Sequence, residues 1–224
     1  MSSLILFDFD GTFADTAPDM AAAANQQRAK RGLAPMPVEA LRPYVSMGAR
    51  GLVKAALSFD IDHPEFEEAK QGFLTDYQLG MTTHTRLFDG IDALLDEIRA
   101  AGMHWGIVTN KHTYLAAPIV ASLNLPDCAV LVCGDTCAFA KPHPLPLEHA
   151  AKTVGYAVDA CVYIGDDLRD IQAAHAAGMP AIAAAYGYCG TDSPVDQWQA
   201  DHIAATTDEL WPAIQRLRGL VASR

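Results

Sequence analysis

Leu4-Ile5-Leu6-Phe7 runs without a linker into Asp8-Phe9-Asp10-Gly11-Thr12, and this junction decides the fold. The first stretch is apolar with no alternation, the pattern of a strand buried on both faces of a sheet. The second is acidic, hydroxyl-bearing and ready to turn. Extended backbone carries the Asp8 and Asp10 side chains to one side, and Gly11 lets the chain bend sharply behind them.

Outward from this junction, four more short apolar runs break off in the same manner. His104–Val108 stops at Thr109-Asn110-Lys111, 129–133 at Gly134-Asp135, 161–164 at Gly165-Asp166-Asp167, and 181–185 at Tyr186-Gly187. Amphipathic helical patterns fill the gaps at 90–101, 113–122, 146–154, 168–177 and 207–218. Strand–helix alternation with fully apolar strands predicts an α/β fold, a Rossmann-like parallel sheet with helices on both faces. One interval breaks the rhythm. Helical patterns over 17–31, 49–58 and 64–79, with a break at Pro35-Met36-Pro37, occupy it without a strand. The expected organisation is therefore a core of residues 1–15 and 84–224 and an inserted helical cap of residues 16–83. Segments 13–16 and 81–88 would be the two connections.

Composition narrows the partners. Sixteen Lys and Arg stand against 27 Asp and Glu in 224 residues, a formal charge of −11 with no basic run, which excludes a nucleic-acid backbone as ligand. No stretch approaches the roughly 20 apolar residues of a membrane span, and the N-terminus has no signal-peptide pattern. The five cysteines form no CxxC pair and read as buried free thiols, which with the missing signal argues for a cytoplasmic protein. His84, His112, His143 and His175 have no companions at ligand spacing and read as structural or surface residues. A small anionic substrate would meet the same repulsive field, so its site must collect positive charge locally.

In an open parallel sheet, ligands bind beyond the carboxyl ends of the strands. There Asp8 and Asp10 offer two carboxyl groups near one reacting atom, one to attack phosphorus and one to manage protons. Asp166 and Asp170, four apart at a helix start, approach one face, and Asp167 is placed to cap that helix. So many carboxylates need a cation, and all-oxygen ligands point to Mg2+. Lys141, in the gap after the third core strand, can hold a phosphate as a point charge, and Thr109-Asn110 can add hydroxyl, amide and backbone donors. One such element per strand end fits phosphoryl transfer on a small phosphorylated metabolite, where positioning and charge do most of the work.

Asp8-Phe9-Asp10-Gly11-Thr12, Val108-Thr109-Asn110-Lys111, Lys141-Pro142-His143-Pro144 and Ile164-Gly165-Asp166-Asp167-Leu168-Arg169-Asp170 together resemble the haloacid-dehalogenase superfamily of phosphatases, within it the phosphoglycolate phosphatase group. The resemblance extends through 173–179 to Tyr186-Gly187-Tyr188. It implies Asp8 as nucleophile and magnesium ligand, and Asp10 as general acid/base that also binds the metal through its carbonyl. It implies Thr109 and Lys141 as phosphoryl holders with Asn110 beside them, Asp166 as the second carboxylate ligand, and Asp170 as an outer partner. Asp167 stands where relatives often carry serine, and Leu87-Phe88-Asp89-Gly90 where many have an aromatic-proline-glycine turn. In the cap, 46–51 is similar to a glycine-containing segment facing the site, which would bring Arg50 to a substrate carboxylate; a solvated helix-start arginine is the competing reading. Two other functions stay open on sequence. A phosphosugar mutase would use the same aspartates, and a receiver-like signalling module would bind magnesium without turnover.

Overall fold

The computed structural model describes residues 3–125, 127–190 and 193–219; the expected core segments extend past these at residues 1–2 and 220–224, which lie outside them. β1 (Leu4–Phe7) is the central strand, flanked in parallel by β4 (His104–Val108) and β6 (Cys161–Gly165). β5 (Cys128–Val132), β7 (Ala181–Ala184) and β8 (His202–Ala204) complete a six-stranded parallel sheet in the order β5-β4-β1-β6-β7-β8. All four residues of β1 are buried, and they divide by parity. Ile5 and Phe7 enter an apolar cluster with α5 (Ile91–Ala100), α6 (Thr113–Ser122) and α9 (Leu210–Leu217). Leu4 and Leu6 enter the opposite cluster with α7 (Leu145–Val154) and α8 (Leu168–Ala177). A strand with no polar face is what this two-sided cover requires.

Between β1 and α5 the chain makes its excursion. α1 (Ala17–Ala29), α2 (Val38–Leu41), a 3-10 turn at Arg42–Met47, α3 (Gly48–Leu57) and α4 (Phe66–Gly80) pack on one another. Buried alanines at 17, 21, 23 and 24 give α1 a smooth face against Leu52, Phe73 and Tyr77 of its neighbours. The chain enters through β2 (Ala14–Asp15) and returns through β3 (Arg86–Leu87), which pair antiparallel, Ala14 with Leu87 and Asp15 with Arg86. The apolar cluster on the Ile5 face continues into the inserted helices, so sheet and insertion share one core there.

Element boundaries differ from the expected ones by about two residues, as frayed ends do. β8, β2, β3 and α2 were not expected from the pattern: each spans two to four residues, too short for a period to register. All five cysteines are free thiols, Cys133 and Cys161 buried and the others half-buried. Among the described residues no helix is long and apolar enough to cross a membrane.

Candidate active site

Asp8 leaves β1 with its N–H still bonded to Ile164 O at 2.8 Å, so its carboxylate starts from the rigid edge of the sheet. The turn that follows is tight around Asp166. Gly11 has φ +88°, and a Cβ there would strike the Asp166 carboxylate and the Tyr188 ring. Gly187 is equally constrained, because a Cβ would collide with Gly11 O and Asp166. Two glycines thus let backbone from two loops close on one buried carboxylate.

Asp8, Asp166 and Asp170 each offer a carboxylate oxygen within 4.8 Å of the others. Lys141 joins them, its Nζ 2.8 Å from Asp8 Oδ1 and 2.6 Å from Asp170 Oδ1. The same ammonium touches Val108 O at 3.0 Å and the Tyr163 hydroxyl at 2.7 Å. Asp166 is fully buried, accepting from Thr12 Oγ1 at 2.8 Å and Tyr188 N–H at 2.9 Å. Burial, then Asp8 and Asp170, push its carboxyl well above the usual carboxylate range. Asp170 is pushed up to about 7, by burial first and by Asp8, against the opposing pull of Lys141. Burial alone would depress the Lys141 ammonium, but Asp170 and Asp8 reverse this and raise it.

Asp10 faces the same cavity in different company. Its carboxylate accepts from Lys111 Nζ at 2.9 and 3.1 Å and from Thr16 Oγ1 at 2.5 Å. Thr109 is buried, bonded to Val132 O through its N–H and receiving Lys111 N–H on its hydroxyl. Asn110 spends both ends of its amide on the Lys141 backbone, at 2.9 Å each, so its side chain fixes the lysine loop. Asp167 caps α8 by accepting from Arg169 N–H, and Asp170 returns a bond to the Asp167 N–H, a complete capping box. Arg169 also pairs with Asp167 and donates to Ser46 O of the inserted helices at 2.8 Å. Burial works to raise the Asp167 carboxyl, but Arg169 outweighs it and holds it low.

Asp8, Asp10, Thr109, Asn110, Lys111, Lys141, Asp167, Arg169 and Asp170 line a cavity of about 500 Å³ whose other wall comes from the insertion: Val45, Met47, Lys70, Phe73, Leu74 and Tyr77. Arg50 is not in it. It is exposed on α3 and lines a neighbouring cavity of about 550 Å³ with Lys54, Phe59 and Trp198. The two cavities share Met47, Asp167 and Arg169. Of the histidines, His112 reaches the cavity wall, and His175 pairs with Asp201 at 3.0 Å away from it. Sequence reasoning assigned no role to Thr12, Thr16, Lys111, Tyr163, Arg169 or Tyr188. Thr12, Lys111, Arg169 and Tyr188 lay inside quoted segments and were visible by place; Thr16 and Tyr163 carry no motif signal of their own.

The haloacid dehalogenase-like hydrolase family model matches residues 5–184. A phosphoglycolate phosphatase from Xanthomonas campestris is 46% identical over 209 residues, covering 92% of this chain and 94% of that protein. An N-acetylmuramic acid 6-phosphate phosphatase from Pseudomonas aeruginosa is 41% identical over 213 residues, covering 95% and 94% respectively. The crystal structure of a predicted phosphoglycolate phosphatase from Haemophilus somnus superimposes with a TM-score of 0.83 at 26% identity, covering 96% of this chain and 98% of that one. With these likenesses spanning nearly its whole length, the chain belongs to the haloacid dehalogenase-like hydrolases and is a phosphatase among them.

Proposed function

We propose that the chain hydrolyses a small phosphate monoester bearing a carboxylate, phosphoglycolate being the first candidate, through an aspartyl-phosphate on Asp8. The observation that carries this reading is the unequal setting of the two aspartates. Asp8 sits among carboxylates with Lys141 beside it, while Asp10 is held apart by Lys111 and Thr16. In the first step an Asp8 oxygen bonds to phosphorus as the ester P–O bond breaks, and Asp10 gives the leaving oxygen its proton. In the second, Asp10 takes a proton from water, whose oxygen displaces Asp8 from phosphorus. Thr109 and Lys141 hold the phosphoryl oxygens.

A divalent ion fits the residues present. Three carboxylates converge while one ammonium reaches only two of them, all donors are oxygen, and Asp8 Oδ1 is buried with no hydrogen-bond partner beyond its ion pair with Lys141. Asp8 and Asp166 would hold Mg2+, with Asp170 beside them and the Asp10 carbonyl completing the set. Bound there, the ion supplies positive charge to the phosphoryl group.

Asp8→Asn tests the mechanism. Turnover of 4-nitrophenyl phosphate with magnesium is expected to fall to background while circular dichroism stays unchanged; substantial residual turnover would refute a covalent role. A second substrate reading has its own support. A cavity of about 500 Å³ with Phe73, Leu74 and Tyr77 on its wall is in the range that encloses drug-sized ligands. That favours a larger carboxylated ester such as N-acetylmuramic acid 6-phosphate, the substrate in the name of the 41% identical relative. Comparing kcat/KM for the two esters decides between them.

A further inference from the structure

Helix α1 begins in an unusual way. Thr16 occupies its N-cap position, where a threonine hydroxyl ordinarily accepts an N–H of the first turn, yet it makes no such bond. The hydroxyl instead donates to Asp10 Oδ1 at 2.5 Å. The first N–H groups at this end of the helix go to a residue far away in the chain. Tyr188 Oη accepts the N–H groups of Thr16 and Ala17 at 2.9 and 3.0 Å and donates to Asp15 Oδ1 at 2.9 Å. Two bonds accepted and one donated saturate a phenol. Asp15 is in turn clamped by Arg42 of the insertion at 2.8 and 3.1 Å, and the Arg42 guanidinium lies 5.4 Å from the Tyr188 ring centre. At its other end, the Tyr188 N–H donates to Asp166 Oδ2 at 2.9 Å. The residue is 5% exposed.

We propose that Tyr188 is a positioning residue for the reaction: by accepting the Thr16 and Ala17 N–H groups it anchors the start of α1, and with it the Thr16 hydroxyl that orients Asp10. The inference rests on the phosphatase reading for the role of Asp10. Without the Tyr188 hydroxyl, the buried Thr16 N–H loses its acceptor and the Ala17 N–H keeps only Asp15 Oδ1, at 3.3 Å. The Thr16 backbone then loses its anchor, and the hydroxyl it holds against Asp10 shifts with it. The Tyr188 N–H to Asp166 is main-chain and survives substitution of the ring.

Tyr188→Phe keeps ring and backbone and removes the hydroxyl alone. The experiment measures kcat/KM with magnesium on two esters: 4-nitrophenyl phosphate, whose leaving group needs no proton, and the better of phosphoglycolate and N-acetylmuramic acid 6-phosphate, whose alkoxide does. The alkyl ester is expected to lose about tenfold more than the aryl ester, a part of what a positioned acid contributes. Half-saturation by Mg2+ should stay within about twofold, because the Asp166 contact remains. Thr16→Val should reproduce the selective loss, and the double variant should add nothing to either single one. Equal losses on the two esters, additive losses in the double variant, or a magnesium requirement rising in step with the lost rate would each overturn the proposal. Asp10→Asn is the control for the underlying reading. A loss blind to the leaving group in that variant removes the acid role itself, whereas a selective loss there with an even one in Tyr188→Phe removes only the role of Tyr188.

Discussion

The Lys111 side chain is buried, yet its ammonium is committed to Asp10 and lies 4.8 Å from the centre of the Tyr77 ring. Burial alone would lower its pKa, but Asp10 and then Tyr77 reverse the effect and raise it. Lys111→Met strands a mostly buried carboxylate, and breaking such a pair costs about 3–5 kcal/mol. Urea unfolding should register that loss, and adding Asp10→Asn should restore part of it, because the second variant removes the stranded charge. A double variant no more stable than Lys111→Met would show that the pair is not what holds this corner together. The contrast with Lys141 explains what could be read from sequence. Lys141 stands alone in its strand–helix gap, so its place announced it. Lys111 is the third residue of a triplet whose first two already had uses, and its partner lies 101 residues away. Asn110 was legible as a site residue but not in its task, since nothing local reveals that its amide would meet the Lys141 backbone.

Among elements, α8 was the most legible. Asp167 at the cap and Asp170 three residues on form a reciprocal pattern, and both bonds are present. Asp167→Ala should cost about 1 kcal/mol of stability in a denaturant titration of the metal-free protein. An unchanged midpoint would mean that Arg169, released from its partner, makes up the loss. Long buried strands were equally plain, because a sheet covered on both faces leaves no polar position to blur the run. The edge strand β8 shows why others were missed. Of His202, Ile203 and Ala204 only the last is buried, so no apolar run marks it. Where Arg50 faces was not legible for a related reason: the sequence located it at a helix start, but the side of α3 it occupies depends on how α3 packs on α1 and α4.

Across the whole molecule, negative charge is both surplus and concentrated. A formal charge of −11 surrounds a site where three carboxylates meet one lysine. The raised carboxyls of Asp166 and Asp170 mean that the metal-free protein holds extra protons relative to its unfolded chain. A native carboxyl lying above its unfolded value near pH 4 weakens the folded state as pH rises, for Asp170 from about 4 to about 7. Magnesium bound at the proposed site would displace those protons, so its stabilising effect should grow with pH. The rise in Tm on adding Mg2+ should be larger at about pH 8 than at about pH 5.5; an equal rise at both would place the ion elsewhere. The single apolar cluster that joins sheet and inserted helices could not be foreseen. Periodicity gives the buried side of each helix but not the neighbour it meets.

Because β2 and β3 lie side by side, the inserted helices leave and rejoin the chain through a gap one strand pair wide, roughly 5 Å. A unit whose two ends are neighbours can be lengthened, trimmed or exchanged without rethreading the six strands behind it. Descent can therefore preserve the cutting of the ester bond while rewriting which ester is admitted.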